Sequence, residues 1–364
     1  MQVRYLKLIN YRNYEALELY PHERLTVLLG ENAQGKTNAA EAVYLCASGR
    51  SHRTSRDGEL IRWDSPGAYV RCDVARDGFE RRIEMRIPKG GKKQISLDGA
   101  PIARMGELMG CLNAVMFSPE ELRLVKDGPG ERRRFLDILL CQIRPAYFYA
   151  LSAFQKALAQ RNALLKEIAA NRAGAADLAV WDEQLAKQSE RIHSARAACM
   201  RSLSGFAAAR HERVTGGRET LSVRYEPDLS GEELLRWLTA CREDDIRRGA
   251  TGKGPHRDDF SLAIGGVDVR TYGSQGQQRT AALSLKLSEL SVMEEATGEK
   301  PVLLLDDVMS ELDGQRQKLL LDSIEDCQTF LTCTRLPDGC PAGKILRVEN
   351  GRIREGERTS GKLF

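Results

Sequence analysis

The chain has 364 residues, 42% apolar and 29% charged, with a formal net charge of +4. That balance suits a folded chain of two or three structural units and excludes disordered and collagen-like classes. No apolar stretch approaches the roughly 18 residues of a membrane span, and the nine cysteines and five histidines lack zinc-ligand spacings.

The first seven residues read as a strand rather than as a targeting segment, so a cytoplasmic location is expected. Apolar patterning predicts strands at 3–8, 15–19 and 25–29, then a helix through 38–45. Further strands are expected at 68–74, 79–87 and 94–97, where Asp98-Gly99 supplies a tight hairpin turn. From about Ser118 the character changes. Residues 131–170 and 176–214 predict two antiparallel helices joined at Ala173-Gly174-Ala175, an arm of roughly 40–60 Å. Residues 130–218 carry fifteen Lys and Arg against eight Asp and Glu, which fits a nucleic-acid surface and plain solvated helices equally well. Strands at 260–264 and 267–270 flank Gly265-Gly266. A helix at 277–295, a strand at 302–305, a helix, a strand at 328–332 and a hairpin at Asn350-Gly351 follow. The plan is an α/β unit split by a helical insertion, divided as 1–117, 118–250 and 251–364.

Gly30-Glu31-Asn32-Ala33-Gln34-Gly35-Lys36-Thr37 fits G-x-x-x-x-G-K-T between a strand and a helix. Such a loop wraps a phosphate chain in backbone N–H groups at a helix N-terminus. Lys36 then places its charge on the β- and γ-phosphates, and the Thr37 hydroxyl is a Mg²⁺ ligand. Asp306 and Asp307 end an apolar strand. Asp306 is expected to hold Mg²⁺ through water, and Asp307 to orient or deprotonate the attacking water. The two motifs lie some 270 residues apart, so the helical segment must interrupt one sheet.

Ser274-Gln275-Gly276-Gln277-Gln278 forms a small polar turn before a long helix, a second anion site. One chain has no second phosphate for it, whereas a second copy does. This order of motifs resembles the ATP-binding cassette, where the signature turn of one subunit closes on the γ-phosphate held by the other. Ser310-Glu311-Leu312-Asp313 resembles the loop that touches the partner there.

The whole chain also resembles the RecF family of bacterial DNA replication and repair proteins. The marks are Leu8-Ile9-Asn10-Tyr11-Arg12-Asn13-Tyr14, the phosphate loop through Asn38, Gly49-Arg50-Ser51-His52-Arg53 and Phe117-Ser118-Pro119-Glu120. Gly128-Pro129 with Arg132-Arg133-Arg134, Gly254-Pro255-His256-Arg257-Asp258-Asp259 and Ser274-Gln275-Gly276-Gln277-Gln278-Arg279-Thr280 complete the set. The resemblance implies an ATP-binding-cassette head with an antiparallel β subdomain and a short helical arm. It also implies an ATP-driven homodimer on single-strand/double-strand boundaries of gapped DNA, nucleoid-associated, acting with RecO and RecR to load recombinase. Against the wider superfamily, Asp307 stands where a Glu is usual, Cys333-Thr334 carries no histidine, and no Mg²⁺-sensing glutamine is evident near residue 117; slow hydrolysis is expected.

Arg12 and Asn13 are placed by the resemblance near nucleotide. Arg50, His52, Arg53 and Arg56 are expected to reach phosphates or DNA, or to form an exposed basic turn. Arg132, Arg133 and Arg134 contact DNA, or simply start a helix beside Glu131 and Asp137. His256 and Arg257 match the family without a chemical role. A chromosome-structuring ATPase would need longer coiled coils, a transporter motor would lack the basic insertion, and a P-loop kinase would lack the signature turn.

Overall fold

The computed structural model describes residues 1–76, 78–119, 123–324 and 327–355; Glu120, one of the resemblance marks, lies outside them. The chain forms two units, Met1–Leu122 with Lys286–Phe364, and Arg123–Leu285. In the first, β1 (Gln2–Tyr11) and β2 (Tyr14–Leu19) form a hairpin and β3 (Leu25–Leu29) runs into α1 (Lys36–Ser48). β4 (Gly67–Arg76), β5 (Phe79–Pro88), β6 (Gln94–Leu97), β7 (Ala100–Pro101) and β8 (Ala114–Phe117) follow. The second unit holds α2 (Arg123–Lys126), α3 (Pro129–Ile143), α4 (Pro145–Ala169), α5 (Leu178–Thr215), β9 (Leu221–Glu226), α6 (Gly231–Ala240) and α7 (Arg242–Arg248). It continues through β10 (Asp259–Ile264), β11 (Val267–Asp268) and α8 (Val269–Tyr272). Helix α9 (Gln275–Thr297) starts in the second unit and ends in the first, which continues with β12 (Val302–Asp306), α10 (Gly314–Ile324), β13 (Thr329–Cys333), β14 (Lys344–Glu349) and β15 (Arg352–Glu355).

Two sheets build the first unit. The antiparallel one has the order β2-β1-β4-β5-β6-β7, and its strands alternate, with Leu6, Leu8, Val70, Cys72 and Ile83 buried between exposed or half-buried neighbours. Asp98 and Gly99 turn at φ 54° and 85°, the hairpin geometry their sequence predicts. The other sheet has the order β15-β14-β3-β13-β12-β8 and is parallel from β14 to β8. Strands β12 and β13 are buried along their whole length, as strands covered on both faces must be. Each Leu or Val sequestered there contributes about 1.5–3 kcal/mol. The order matters for chemistry. Strand β13 lies between β3 and β12, pairing Thr332 with Leu28 on one side and with Asp306 on the other. The carboxyl ends of β3 and β12, where the phosphate loop and the aspartates begin, are thereby brought together. Gln328 ties the two sheets by accepting from the Val3 N–H at 2.7 Å and donating to the Val3 carbonyl at 2.9 Å.

In the second unit the expected helix over 131–170 is two helices. Pro145 lacks an N–H and bars the helical conformation at Arg144, whose φ and ψ are −140° and 90°. The expected arm boundaries of 118 and 250 move to 123 and 285. Residues 251–285 fold with the helices, because β10 pairs with β9 from Asp259↔Glu226 to Ile264↔Leu221. Strand β11 is also shorter than expected: Asp268 caps α8 by accepting from the Thr271 N–H, which turns residues 269–272 helical.

Candidate functional site

Residues 30–37 leave β3 and enter α1 through two left-handed positions, Ala33 at φ 64° and Gly35 at φ 114°. A Cβ on Gly30 would stand 2.3 Å from the Val348 carbonyl oxygen, so only glycine lets β14 pass the loop. Lys36 is buried and donates from Nζ to the Gly30 carbonyl at 2.6 Å, holding its ammonium across the loop. Neighbours brace the outside. Asn13 Nδ2 donates to the Gln34 carbonyl at 2.8 Å, the Tyr14 hydroxyl to the Gly35 carbonyl at 2.9 Å, and Asn38 Nδ2 to Asn13 Oδ1 at 2.8 Å. The backbone N–H groups of Asn350 and Gly351 donate to Gln34 Oε1 and the Gln34 carbonyl at 2.6 and 3.1 Å.

Asp306 is buried, and its Oδ1 accepts from Thr37 Oγ1 at 2.7 Å and from Thr332 Oγ1 at 2.8 Å. One hydrogen bond thus joins Thr37 to an aspartate 269 positions away in the sequence. Asp307 follows at φ 55°, a left-handed conformation that Asp tolerates better than most residues. Its backbone N–H is held by Thr332 Oγ1 at 3.0 Å. Burial pushes the Cys333 thiol up to about 12, which keeps the residue after Thr332 uncharged. Ser310, in the loop predicted to meet a partner, donates from Oγ to the Asp307 carbonyl at 3.0 Å; Asp313 accepts from the Arg316 N–H, and Leu312 closes the short turn between them by donating its N–H to Met309. Glu311 lies in that turn as well.

Arg12 is committed elsewhere than to the loop: its Nε and Nη2 hold Glu41 at 2.8 and 2.6 Å, and Ser51 Oγ adds a third bond at 2.5 Å. Burial alone would raise the Glu41 carboxyl, but the bonds from Arg12 and Ser51 and the charges of Arg12 and Arg53 outweigh it and hold the group below 4.5. Stability from this pairing is therefore full above that value and lost as pH falls through the folded-state pKa. Glu41→Gln should cost about 1.5–3 kcal/mol at neutral pH and flatten the acid limb. Urea titrations across a pH series measure both, and an unchanged acid limb would remove Glu41 as its source.

The predicted signature turn lies in the second unit. Ser274 and Gln277 cap α9 reciprocally: the Ser274 N–H donates to Gln277 Oε1 at 3.0 Å, and the Gln277 N–H to Ser274 Oγ at 3.2 Å. This capping box fixes the first turn of α9, which holds Gln275 and Gly276.

The arginine candidates divide. Arg132 is buried and bidentate on Asp259 at 2.6 and 2.9 Å, so its expected role on DNA is corrected to a structural one. Arg133 donates to the Asp258 carbonyl at 2.8 Å, while Arg134 is exposed. The basic excess of the arm is likewise partly internal. Fully buried Arg161 pairs with Asp182 and Asp245, and Arg196 with Asp137 and Asp258. The motif at 254–259 now has a role: Asp258 gathers Arg196, the Tyr225 hydroxyl and the Asp228 N–H, and His256 rests on the Thr251 carbonyl at 3.1 Å. Arg50, Arg53 and Arg56 remain exposed on the segment after α1, although Arg53 Nη1 also reaches Asn38 Oδ1 at 3.0 Å. Sequence patterning missed Trp63 on the same segment, 91% exposed and held by bonds from the Arg62 N–H to the Asn10 carbonyl and from the Ser65 N–H to the Arg62 carbonyl. It missed Thr332 too, since a strand threonine carries no signal until its neighbours are known.

No described helix is long and apolar enough to cross a membrane. The model of the RecF/RecN/SMC N terminal domain matches residues 2–348. A DNA replication and repair protein RecF from Lachnoclostridium phytofermentans is 45% identical, covering 98% of this chain and all of its own length. One from Clostridium perfringens is 42% identical over 97% of this chain and 99% of its own. The solved structure of the recombination mediator protein RecF-ATP in the RecFOR pathway superposes with a TM-score of 0.90 at 37% identity, covering 98% and 97% of the two chains. An Smc head bound to the C-winged helix domain of ScpA, 16% identical with a TM-score of 0.58, shares the fold alone. With an α/β head of the ATP-binding-cassette type, antiparallel sheet and helical lobe in place, the chain belongs to the RecF family of DNA replication and repair proteins.

Proposed function

We propose that this chain is an ATP-dependent DNA-binding switch whose two copies close around ATP on gapped DNA and whose slow hydrolysis releases it. The observation that supports this most directly is the shared Asp306 oxygen, which sets a carboxylate against the phosphate-loop threonine. Thr37 would offer its hydroxyl to Mg²⁺ and Asp306, 2.7 Å from that hydroxyl, would hold the ion through water, a set that suits Mg²⁺, which keeps several waters and phosphate oxygens in its shell. Bound there, Mg²⁺ would offset charge on the β- and γ-phosphates. Residues 30–38 wrap the phosphates, Lys36 adds its charge, and Asn13 fixes the loop's outer wall. Asp307 takes a proton from the attacking water as the oxygen–phosphorus bond to the γ-phosphate breaks, giving ADP and phosphate. Ser274 and the α9 N-terminus of the second copy contribute donors to the same γ-phosphate, with Ser310, Glu311, Leu312 and Asp313 at the dimer contact.

Arg50, Arg53 and Arg56, with Arg134 on the arm, supply phosphate contacts, and Trp63 offers a face on which an unpaired base stacks. This suits a single-strand/double-strand boundary, and partners RecO and RecR follow from family membership and the RecFOR pathway of the solved relative. Light scattering is expected to show ATP-dependent dimers, with turnover raised by duplex DNA. Trp63→Ala should weaken binding of gapped DNA roughly 5- to 100-fold while leaving ATP affinity intact, and wild-type affinity should fall with salt. A chain monomeric at saturating ATP, or a salt-independent affinity, would sink this reading.

A further inference from the structure

Beyond the capping box, Gln277 has one more bond. Its Nε2 donates to Glu219 Oε1 at 3.0 Å. Glu219 follows the end of α5, where Gly216 and Gly217 turn at φ 62° and 75° and the Gly217 N–H closes on the Glu212 carbonyl at 2.9 Å. The other carboxylate oxygen, Oε2, faces Nε2 of His211 at 3.2 Å, and Nδ1 of that ring faces Ser284 Oγ at 3.3 Å. His211 belongs to α5 and is fully buried, whereas Gln277 and Ser284 lie two turns apart on α9. One carboxylate therefore joins the end of the arm helix to the first turn of the helix bearing the signature residues.

The partners fix the chemistry of each member. A carboxylate only accepts, so the His211 proton sits on Nε2, and Nδ1 accepts from the Ser284 hydroxyl. Burial, which outweighs the neighbouring carboxylate, lowers the His211 pKa and keeps the ring in that neutral form. Gln277 Oε1 is taken by the Ser274 N–H and its Nε2 by Glu219, so the amide has one orientation. Ser274 Oγ accepts from the Gln277 N–H, which leaves its own proton to donate outward.

We propose that Glu219 is a positioning residue for ATP hydrolysis: it locks Gln277, and through the capping box the Ser274 hydroxyl, in the orientation that meets the γ-phosphate of a second copy, with His211 as its anchor on α5. This rests on the composite-site reading above. Glu219 touches no nucleotide itself, and its defect must appear in trans.

The experiment uses full-length variants in mixed pairs. Glu219→Ala alone should lower turnover roughly ten- to hundredfold, the loss of a charge-assisted hydrogen bond in the closed site, with monomer affinity for ATP unchanged. Glu219→Gln still offers an oxygen to Gln277 and should recover most of that loss. Lys36→Met cannot hold phosphate but carries an intact signature turn, so mixing it with Glu219→Ala should restore turnover that neither has alone. Mixing Lys36→Met with Ser274→Arg is the control. If the control pair recovers and the Glu219→Ala pair does not, or Glu219→Ala alone turns over at the wild-type rate, the inference is overturned while the composite site stands. If the control pair itself fails to recover, the composite site falls and the inference falls with it.

Discussion

Asp307→Asn is expected to cut ATP turnover by roughly 100- to 10,000-fold while leaving ATP binding intact, so that ATP-bound dimers accumulate. The argument is geometric. Asp306 is occupied by two hydroxyls on one oxygen, which supports its proposed role in holding the metal over one in proton transfer. Asp307 has its backbone pinned by Thr332 and sits at φ 55°. Asn tolerates that conformation as well as Asp does, so the substitution removes the proposed base without moving the chain. Thr332→Val provides the complementary case. It deletes the hydroxyl that both supports Asp306 and receives the Asp307 N–H, and should therefore weaken Mg²⁺-dependent ATP binding and turnover together. Steady-state turnover, equilibrium ATP binding and light scattering separate the two patterns. An Asp307→Asn chain that hydrolyses ATP at the wild-type rate would place the base elsewhere.

The head was largely legible because its signals are local. A strand, eight loop residues and a helix announce the phosphate site, and an apolar strand ending in two acids announces its counterpart. Strand β8 escaped because four apolar residues in a row carry no period, and a helix could bury them equally well. Strand β9 alternates, with Leu221 and Val223 buried, and was readable in principle between Gly217 and Pro227. Helix α6 likewise has Ser230 before it and Glu232 and Glu233 in its first turn, a local start signal. The arginines were a different kind of failure. A charge count over residues 130–218 cannot show that Arg132, Arg161 and Arg196 point inward. Of their acidic partners, Asp137 and Asp182 lie inside that window, but Asp245, Asp258 and Asp259 come from beyond it. Composition assigned those charges to the surface, and only the pairing of distant elements shows otherwise. Glu219 was invisible for the same reason, as its bonds reach backward to His211 and forward to Gln277.

Those buried pairs lead to the largest stability effect expected of any single substitution. Arg161 is fully buried on α4, its Nε on Asp182 at 2.7 Å and its Nη1 on both Asp245 and Thr251 at 2.6 and 2.9 Å. Asp182 belongs to α5 and Asp245 to α7, so one guanidinium joins three helices. Arg161→Met keeps much of the volume but leaves two carboxylates without their common cation. Arg242 still holds Asp182 at 2.7 Å, whereas among the described residues the Asp245 side chain retains the Gly252 N–H. Breaking such a group costs about 3–5 kcal/mol. The loss should appear as faster amide exchange along α4 and α5, with ATP affinity unaffected because Lys36 belongs to the other unit. Replacing Arg161, Asp182 and Asp245 together by apolar residues of similar size should return most of the loss, since desolvation offsets much of what the ion pairs contribute. If Arg161→Met alone left exchange in α4 and α5 unchanged, the three helices would be held by their apolar seams, with the ion pairs adding orientation but little free energy.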